Sequence, residues 1–206
     1  VDNIVEAVKL VGLRGLKNLL YQQGTQMLLD KGQKWLWDHS YQAALYAYTL
    51  AKFFKRKKDI LDDVYVGGIL HDMGKIIFSS VHPQLLDKIT RFCNMRGIDR
   101  DLMEDFAAGL NHAEIGGLIA EKWNFPEVLV CAIRYHHEPF RAPDEFRDVV
   151  YTVYLANAFC DLENGAVVFE QIDRNVLKHY NITSEEQLDK IHNYLKQTFR
   201  AEKERS

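Results

Sequence analysis

Apolar residues recur at helical spacing along most of the chain, and no stretch shows the alternation that a half-buried strand requires. Asn3 can cap a first helix carrying Ile4, Ala7, Val8 and Val11; after a break at Gly12 and Gly15, Leu16, Leu19 and Leu20 begin a second apolar face. That segment is too short to bury a core of its own, so it has to pack on the helices after it. Ala43, Ala44, Ala47, Leu50, Ala51 and Phe54 repeat at i, i+3, i+4 and predict a helix over 37–54, with His39 at the buried edge of the stripe. Lys55-Arg56-Lys57-Lys58 reads as a solvated helix C-terminus, where cations complement the dipole. A helix over 62–72 ends in His71-Asp72, and two more are expected over 83–95 and 101–110.

His112, Ile115, Gly116, Ile119 and Trp123 share one face of the next helix, and Gly116-Gly117 points to close helix packing. Pro126 suits the first turn of a helix that carries Leu129, Ala132, Ile133 and His136, with His137 four residues after Ile133 and Pro139 as the stop. The last core helix spans 148–161, lined on one side by Val150, Val153, Tyr154, Asn157 and Asp161. Beyond Gly165, residues 169–180 and 184–199 read as two amphipathic helices, the second opened by a Ser184/Gln187 capping box with Thr183 as the alternative cap.

Composition agrees with an all-α protein. Four prolines in 206 residues leave few breaks, and 47 % apolar with 27 % charged residues is ordinary for a globular chain. The expected organisation is a helical domain over 1–165, with 1–36 packing on its core, and a helical extension over 166–206. A net charge of -3 argues against broad nucleic-acid binding. Cys93, Cys131 and Cys160 form no CxxC pair and read as buried hydrophobes in a reducing cytoplasm. No apolar run approaches a membrane span, and the chain does not open on a basic-then-apolar signal, so a cytosolic location is expected.

The candidate chemistry centres on Ile69-Leu70-His71-Asp72-Met73-Gly74-Lys75. Neighbouring helical residues point about 100° apart, so His71 and Asp72 can meet only at a point in line with both, such as a metal ion. Gly74 lets the chain approach an anion, and Lys75 brings a mobile positive charge there. Seven ionisable side chains sit on apolar helix faces: His39, His71, Asp72, His112, His136, His137 and Asp161. Each taken singly reads as a satisfied core residue. Together they need a common partner, and one or two divalent ions are the simplest. His82, His179 and His192 fall outside the pattern and read as surface residues.

The order His, His-Asp-x-Gly-Lys, Asn-His-Ala-Glu-x-Gly, Tyr-His-His-Glu-Pro, Asp resembles the HD superfamily of metal-dependent phosphohydrolases. More narrowly it resembles the HDOD branch of bacterial signalling-output modules. The resembling stretches are VEAVKLVGLRGLKNLL at 5–20, the helix opening at Trp37-Asp38-His39-Ser40, GGILHDMGK at 67–75, NHAEIGGLIAEKWNFPEVLVCAIRYHHEP at 111–139 and ANAFCD at 156–161; they cover roughly 1–162. The resemblance implies an HD-domain helical bundle with the metal site between core helices. His39, His71, Asp72 and Asp161 would be the core ligands, with Asp72 the bridge. His112, His136 and His137 would hold a second ion, as in the related HD-GYP phosphodiesterases. Asp72 and Lys75 would carry catalysis, with Lys75 meeting substrate phosphate. Arg134 either joins Lys75 there or makes a surface ion pair.

Fe, Mn, Ni and Zn all suit a mixed His/Asp set. After His137-Glu138 the chain lacks the Gly-Tyr-Pro segment, which weakens cyclic diguanylate as a substrate. Trp35 stands where some HD-GYP sites carry a third-metal glutamate, so two ions are the expected maximum. Two functions remain open: hydrolysis of a nucleotide or another phosphodiester, and a non-catalytic signalling module that binds a protein partner or nucleotide.

Overall fold

Helix α1 (Lys34–Phe53) turns four buried alanines, Ala43, Ala44, Ala47 and Ala51, toward the interior. Side chains this small let a second helix come close. Helix α2 (Leu61–Leu70) takes that place, buried from Val64 to Ile69. A Cβ on Gly68 of α2 would sit 2.6 Å from Ala44 Cα, so the two backbones nearly touch. On its other side α2 meets Ala132 and Val153 across Gly67. It is therefore the central rod of the bundle. The structure is a computed structural model that describes residues 34–56, 58–75 and 111–205. The two N-terminal apolar faces, the helices expected over 83–95 and 101–110, Cys93 and His82 lie outside those residues.

Helix α3 (His112–Lys122) is capped by Asn111, whose Oδ1 accepts from Glu114 N at 3.0 Å. Trp123, placed on the packed face by its spacing, is 58 % exposed at the C-terminal cap. Helix α4 (Glu127–Arg134) buries Leu129 through Ile133. It stops at Arg134, earlier than its expected end at Pro139. His136 and His137 therefore lie in the turn beyond it and not on its face. The reason is local: His136 Nδ1 bonds the Ile133 carbonyl at 2.6 Å, which replaces a backbone partner, and Pro139 biases Glu138 away from helical geometry.

Helix α5 (Arg147–Glu163) is buried almost continuously from Val149 to Cys160 and packs on α1, α2 and α4. Residues 169–180 do not form one helix. A 3-10 turn at Phe169–Gln171 is followed by a break, and α6 (Arg174–His179) starts afresh. Asp173 causes the restart: its carboxylate accepts from the N–H groups of Asn175 and Val176 at 2.7 and 3.1 Å, a stronger local choice than helix continuation. Helix α7 (Glu185–Glu204) opens as expected at Ser184, whose Oγ accepts from Gln187 N. Gln187 Oε1 in turn accepts from Thr183 N, so Thr183 and Ser184 share the cap.

Leu188, Ile191 and Leu195 of α7 join the same apolar cluster as Ala47, Leu50 and Phe159, so α7 builds the core rather than decorating it. Arg56 is not merely solvated: it lies over the Tyr180 ring at 4.8 Å and bonds the His179 carbonyl at 3.3 Å. Cys131 and Cys160 are buried free thiols. Among the described residues there is no strand, and no helix is long and apolar enough to cross a membrane.

Candidate metal centre

At the end of α2 the chain turns through His71 and Asp72, and two contacts hold that turn in place. His71 Nδ1 donates to the Gly68 carbonyl at 2.8 Å, and a Cβ on Gly74 would overlap the His112 carbonyl. The first contact fixes the tautomer, because a proton on Nδ1 leaves a lone pair on Nε2. His136 does the same, with Nδ1 donating to Ile133 O. Both rings are fully buried, so each presents a bare Nε2 to the interior.

Those nitrogens converge. His39 Nε2 on α1 lies 3.3 Å from His71 Nε2, and both lie 3.4 Å from Asp72 Oδ2. On the other side of the carboxylate, His112 Nε2 lies 3.1 Å from Asp72 Oδ1, and His136 Nε2 lies 3.6 Å from it. His112 Nε2 is also 3.3 Å from His136 Nε2 and 3.1 Å from His137 Nε2. Two groups result, His39–His71–Asp72 and Asp72–His112–His136–His137, and Asp72 belongs to both through different oxygens.

Two observations test whether a metal fits. Facing lone pairs repel unless a cation lies between them. The donor separations of 3.1–3.6 Å bracket the edge of about 3.3–3.4 Å for a tetrahedron with metal–nitrogen bonds of 2.0–2.1 Å. In addition, Asp72 Oδ1 is buried and has no hydrogen-bond partner, although the residue is only 1 % exposed. A buried carboxylate oxygen left bare is costly, and a cation satisfies it. The His/Asp cluster can hold metal.

The electrostatics agree. Burial pushes His39 and His71 down to about 4, against the pull of the Asp72 charge. Burial lowers His136, and it holds His137 well below its ordinary value, reinforced by the charges of His136 and His112. Burial alone would raise Asp72, but His71, Lys75, His112 and His136 outweigh it and keep the carboxyl well below the usual range. At neutral pH His39, His71, His136 and His137 are thus neutral imidazoles beside an ionised carboxylate, the protonation states that ligands need.

Lys75 Nζ donates to Asp72 Oδ2 at 2.8 Å. Asp161 is in neither group; its Oδ2 accepts from Asn157 Nδ2 at 3.1 Å. The Arg134 guanidinium lies across Gly117 and pairs with Glu121 at 2.7 Å. His179 is partly exposed and meets Asp148 at 2.7 Å. His192 is not a surface residue: it is buried, with Nε2 3.1 Å from Glu163 Oε1. The Tyr46 hydroxyl donates to the same oxygen and Gln42 Nε2 joins at 3.1 Å, forming a polar clasp between α1, α5 and α7. The sequence held a signal for it, since His192 falls four residues after Leu188 and three before Leu195, on the apolar stripe of α7.

A helical bundle whose central carboxylate is shared by two sets of buried imidazoles defines the HD-type class of folds. Comparison with known proteins narrows this. The family profile of the HDOD domain matches residues 1–139, and the chain belongs to that family. An uncharacterised protein of Treponema pallidum (strain Nichols) is 37 % identical over 97 % of the chain, which spans 39 % of that protein's length. Among solved structures, an HDOD domain protein of unknown function from Geobacter sulfurreducens aligns with TM-score 0.59 and 26 % identity, over 63 % of this chain and 43 % of that one. A Shewanella amazonensis SB2B protein named "Putative phosphohydrolase" has the same fold, with TM-score 0.59 and 22 % identity over 79 % of this chain and 58 % of that one. A Marinobacter aquaeolei VT8 protein named "Putative signal transduction protein" aligns with TM-score 0.63 and 21 % identity, over 78 % of this chain and 36 % of that one.

Proposed function

We propose that this chain is the HDOD part of a bacterial signal-transduction protein whose centre binds two divalent ions and hydrolyses a phosphate ester of a nucleotide or another phosphodiester. The observation that carries this reading is the division of Asp72, whose two oxygens face two separate sets of imidazoles. His39, His71 and Asp72 would hold one ion; Asp72, His112, His136 and His137 would hold the other. Fe, Mn, Ni and Zn all suit these donors. Bound ions of this kind polarise a phosphoryl oxygen and acidify water.

The chain's own groups do the rest. The Nδ1 bonds to Gly68 and Ile133 lock His71 and His136 in the orientation that exposes Nε2. Lys75 holds its ammonium beside Asp72, where it offsets charge on an arriving phosphate. Arg134 is committed to Glu121, which leaves Lys75 as the substrate-facing cation of the two.

Metal content of protein purified without chelator, together with Mn2+-dependent hydrolysis of bis(p-nitrophenyl) phosphate, tests this. About two ions per chain and an activity lost in His71→Ala and Asp72→Ala support it; metal-free protein with no activity on Mn2+ addition refutes it. The second reading is a non-catalytic output module that binds a protein partner or nucleotide. The missing Gly-Tyr-Pro segment favours it. Bound metal without hydrolysis of any phosphodiester would select it.

A further inference from the structure

A cavity of about 350 Å³ opens between α1, α2 and α7. None of the clustered histidines, nor Asp72, lines it. On α1 its lining runs from Leu45 to Lys52, roughly 10–20 Å along the helix from His39. Its volume is at the low end of the range for small-molecule pockets, about 300–1,000 Å³. The walls are aromatic. Tyr48 of α1 meets Tyr65 of α2 edge-on with ring centroids 6.4 Å apart, Tyr46 meets Phe199 of α7 in the same way at 6.0 Å, and Tyr194 adds another ring.

Two polar features interrupt this lining. Thr49 is only 8 % exposed, yet its hydroxyl makes no hydrogen bond among the described residues. The other helical threonines among those residues, Thr152 and Thr198, each donate to the carbonyl four positions back. A buried hydroxyl without a partner is costly, and one that lines a cavity can be satisfied by what enters it. Lys52 is exposed and carries its ammonium over the Tyr48 ring, 5.1 Å from the centroid, with no ion pair among the described residues. Lys203 lies over Phe199 at 5.9 Å, and Glu202 is the carboxylate in the lining. Two cations against one carboxylate favour a single negative charge and disfavour several.

We infer that this cavity is a second ligand site, built for a planar aromatic molecule that carries one negative charge. The ring stacks among the tyrosines. A polar atom on the ring's edge meets the Thr49 hydroxyl, and the acid group meets Lys52. An aromatic carboxylate and a cyclic mononucleotide share this chemistry. The inference does not depend on the metal reading of the centre, which shares no residue with the cavity.

The test is calorimetric titration of the full chain with indole-3-acetate and with cyclic AMP, with indole-3-acetamide and adenosine as their uncharged counterparts. At least one of the two anions should bind, and the tighter of them identifies the acid group as carboxylate or phosphate. Lys52→Gln changes an exposed position, so it should weaken that anion only about 2- to 5-fold and remove its advantage over the uncharged counterpart. Thr49→Val keeps the side chain's shape without the hydroxyl and should weaken binding about 3- to 10-fold. Thr198→Trp places an indole in the cavity wall and should abolish binding; if it fails to fold, the other two variants decide. No binding of either anion, or binding unchanged in Lys52→Gln and Thr49→Val, would overturn the inference. So would binding that survives those variants and is lost in Asp72→Ala, since the anion would then belong to the metal centre.

Discussion

Gly68→Ala is the sharpest probe of how the helices set the centre. In an exposed helix this change would stabilise by about 1 kcal/mol, because alanine is the better helix former. Here the new methyl would lie 2.6 Å from Ala44 Cα, 2.9 Å from Ala44 N and 3.2 Å from the Ala43 carbonyl carbon. All three are backbone atoms of α1, so no side chain can swing away. Ordinary contact needs roughly 1 Å more, and α1 must move as a rod. Overpacking of this kind costs about 1–3 kcal/mol, so after the helix-propensity gain the net expectation is a loss of up to about 2 kcal/mol, or up to roughly 8 °C in Tm for a chain of this size. The displacement also separates His39 on α1 from His71 at the end of α2, whose Nε2 atoms now stand 3.3 Å apart. One metal step should therefore weaken, while the His112–His136–His137 side keeps its geometry. Thermal melts with and without Mn2+, paired with metal counting, read both effects. A variant with unchanged or higher Tm and two bound ions would refute the argument that backbone contact between α1 and α2 spaces the ligands.

Other outcomes rest on the same structure. Asp72→Asn keeps the shape but removes the shared anion, so metal content should fall to near zero; loss of one ion alone would show that the carboxylate does not serve both groups. In metal-free protein, His39 and His71 sit at about 4 when folded against about 6.5 when unfolded, so the unfolded chain binds more protons between those values. Stability is then full above pH 6.5 and falls toward pH 4, by up to about 1.4 kcal/mol per pH unit for each imidazole. Urea midpoints that stay flat from pH 7 to 4.5 would contradict this. Glu163→Ala strands the buried Tyr46 hydroxyl and releases His192, at a cost of about 1–3 kcal/mol. Hydrogen exchange in α7 should accelerate more than in α2, and equal rates in the two helices would sink that expectation.

Much of this was legible in the chain. Helical periodicity located α1, α2, α3, α5 and α7 because each buries a continuous stripe. It also brought His39, His71, Asp72, His112, His136 and His137 to inner positions, which the structure gathers into two groups. What periodicity misses is competition from side chains that bond backbone. His136 ends α4 through its bond to Ile133, and Asp173 splits the 169–180 segment by capping α6. No apolar pattern records either event. Asn157 and His192 both lay on apolar stripes, but a polar residue on such a stripe is ambiguous until its partners are known. Arg134 shows the converse: three residues before His137 in sequence, it turns to Glu121 on the neighbouring helix.

Gly74 and the His112 carbonyl are neighbours in space but 38 positions apart in the chain. Any side chain larger than hydrogen at position 74 would therefore push the His71–Asp72 turn away from the start of α3 and stretch the 3.1 Å between Asp72 Oδ1 and His112 Nε2, so a position with no side chain of its own sets the gap between the two halves of the centre.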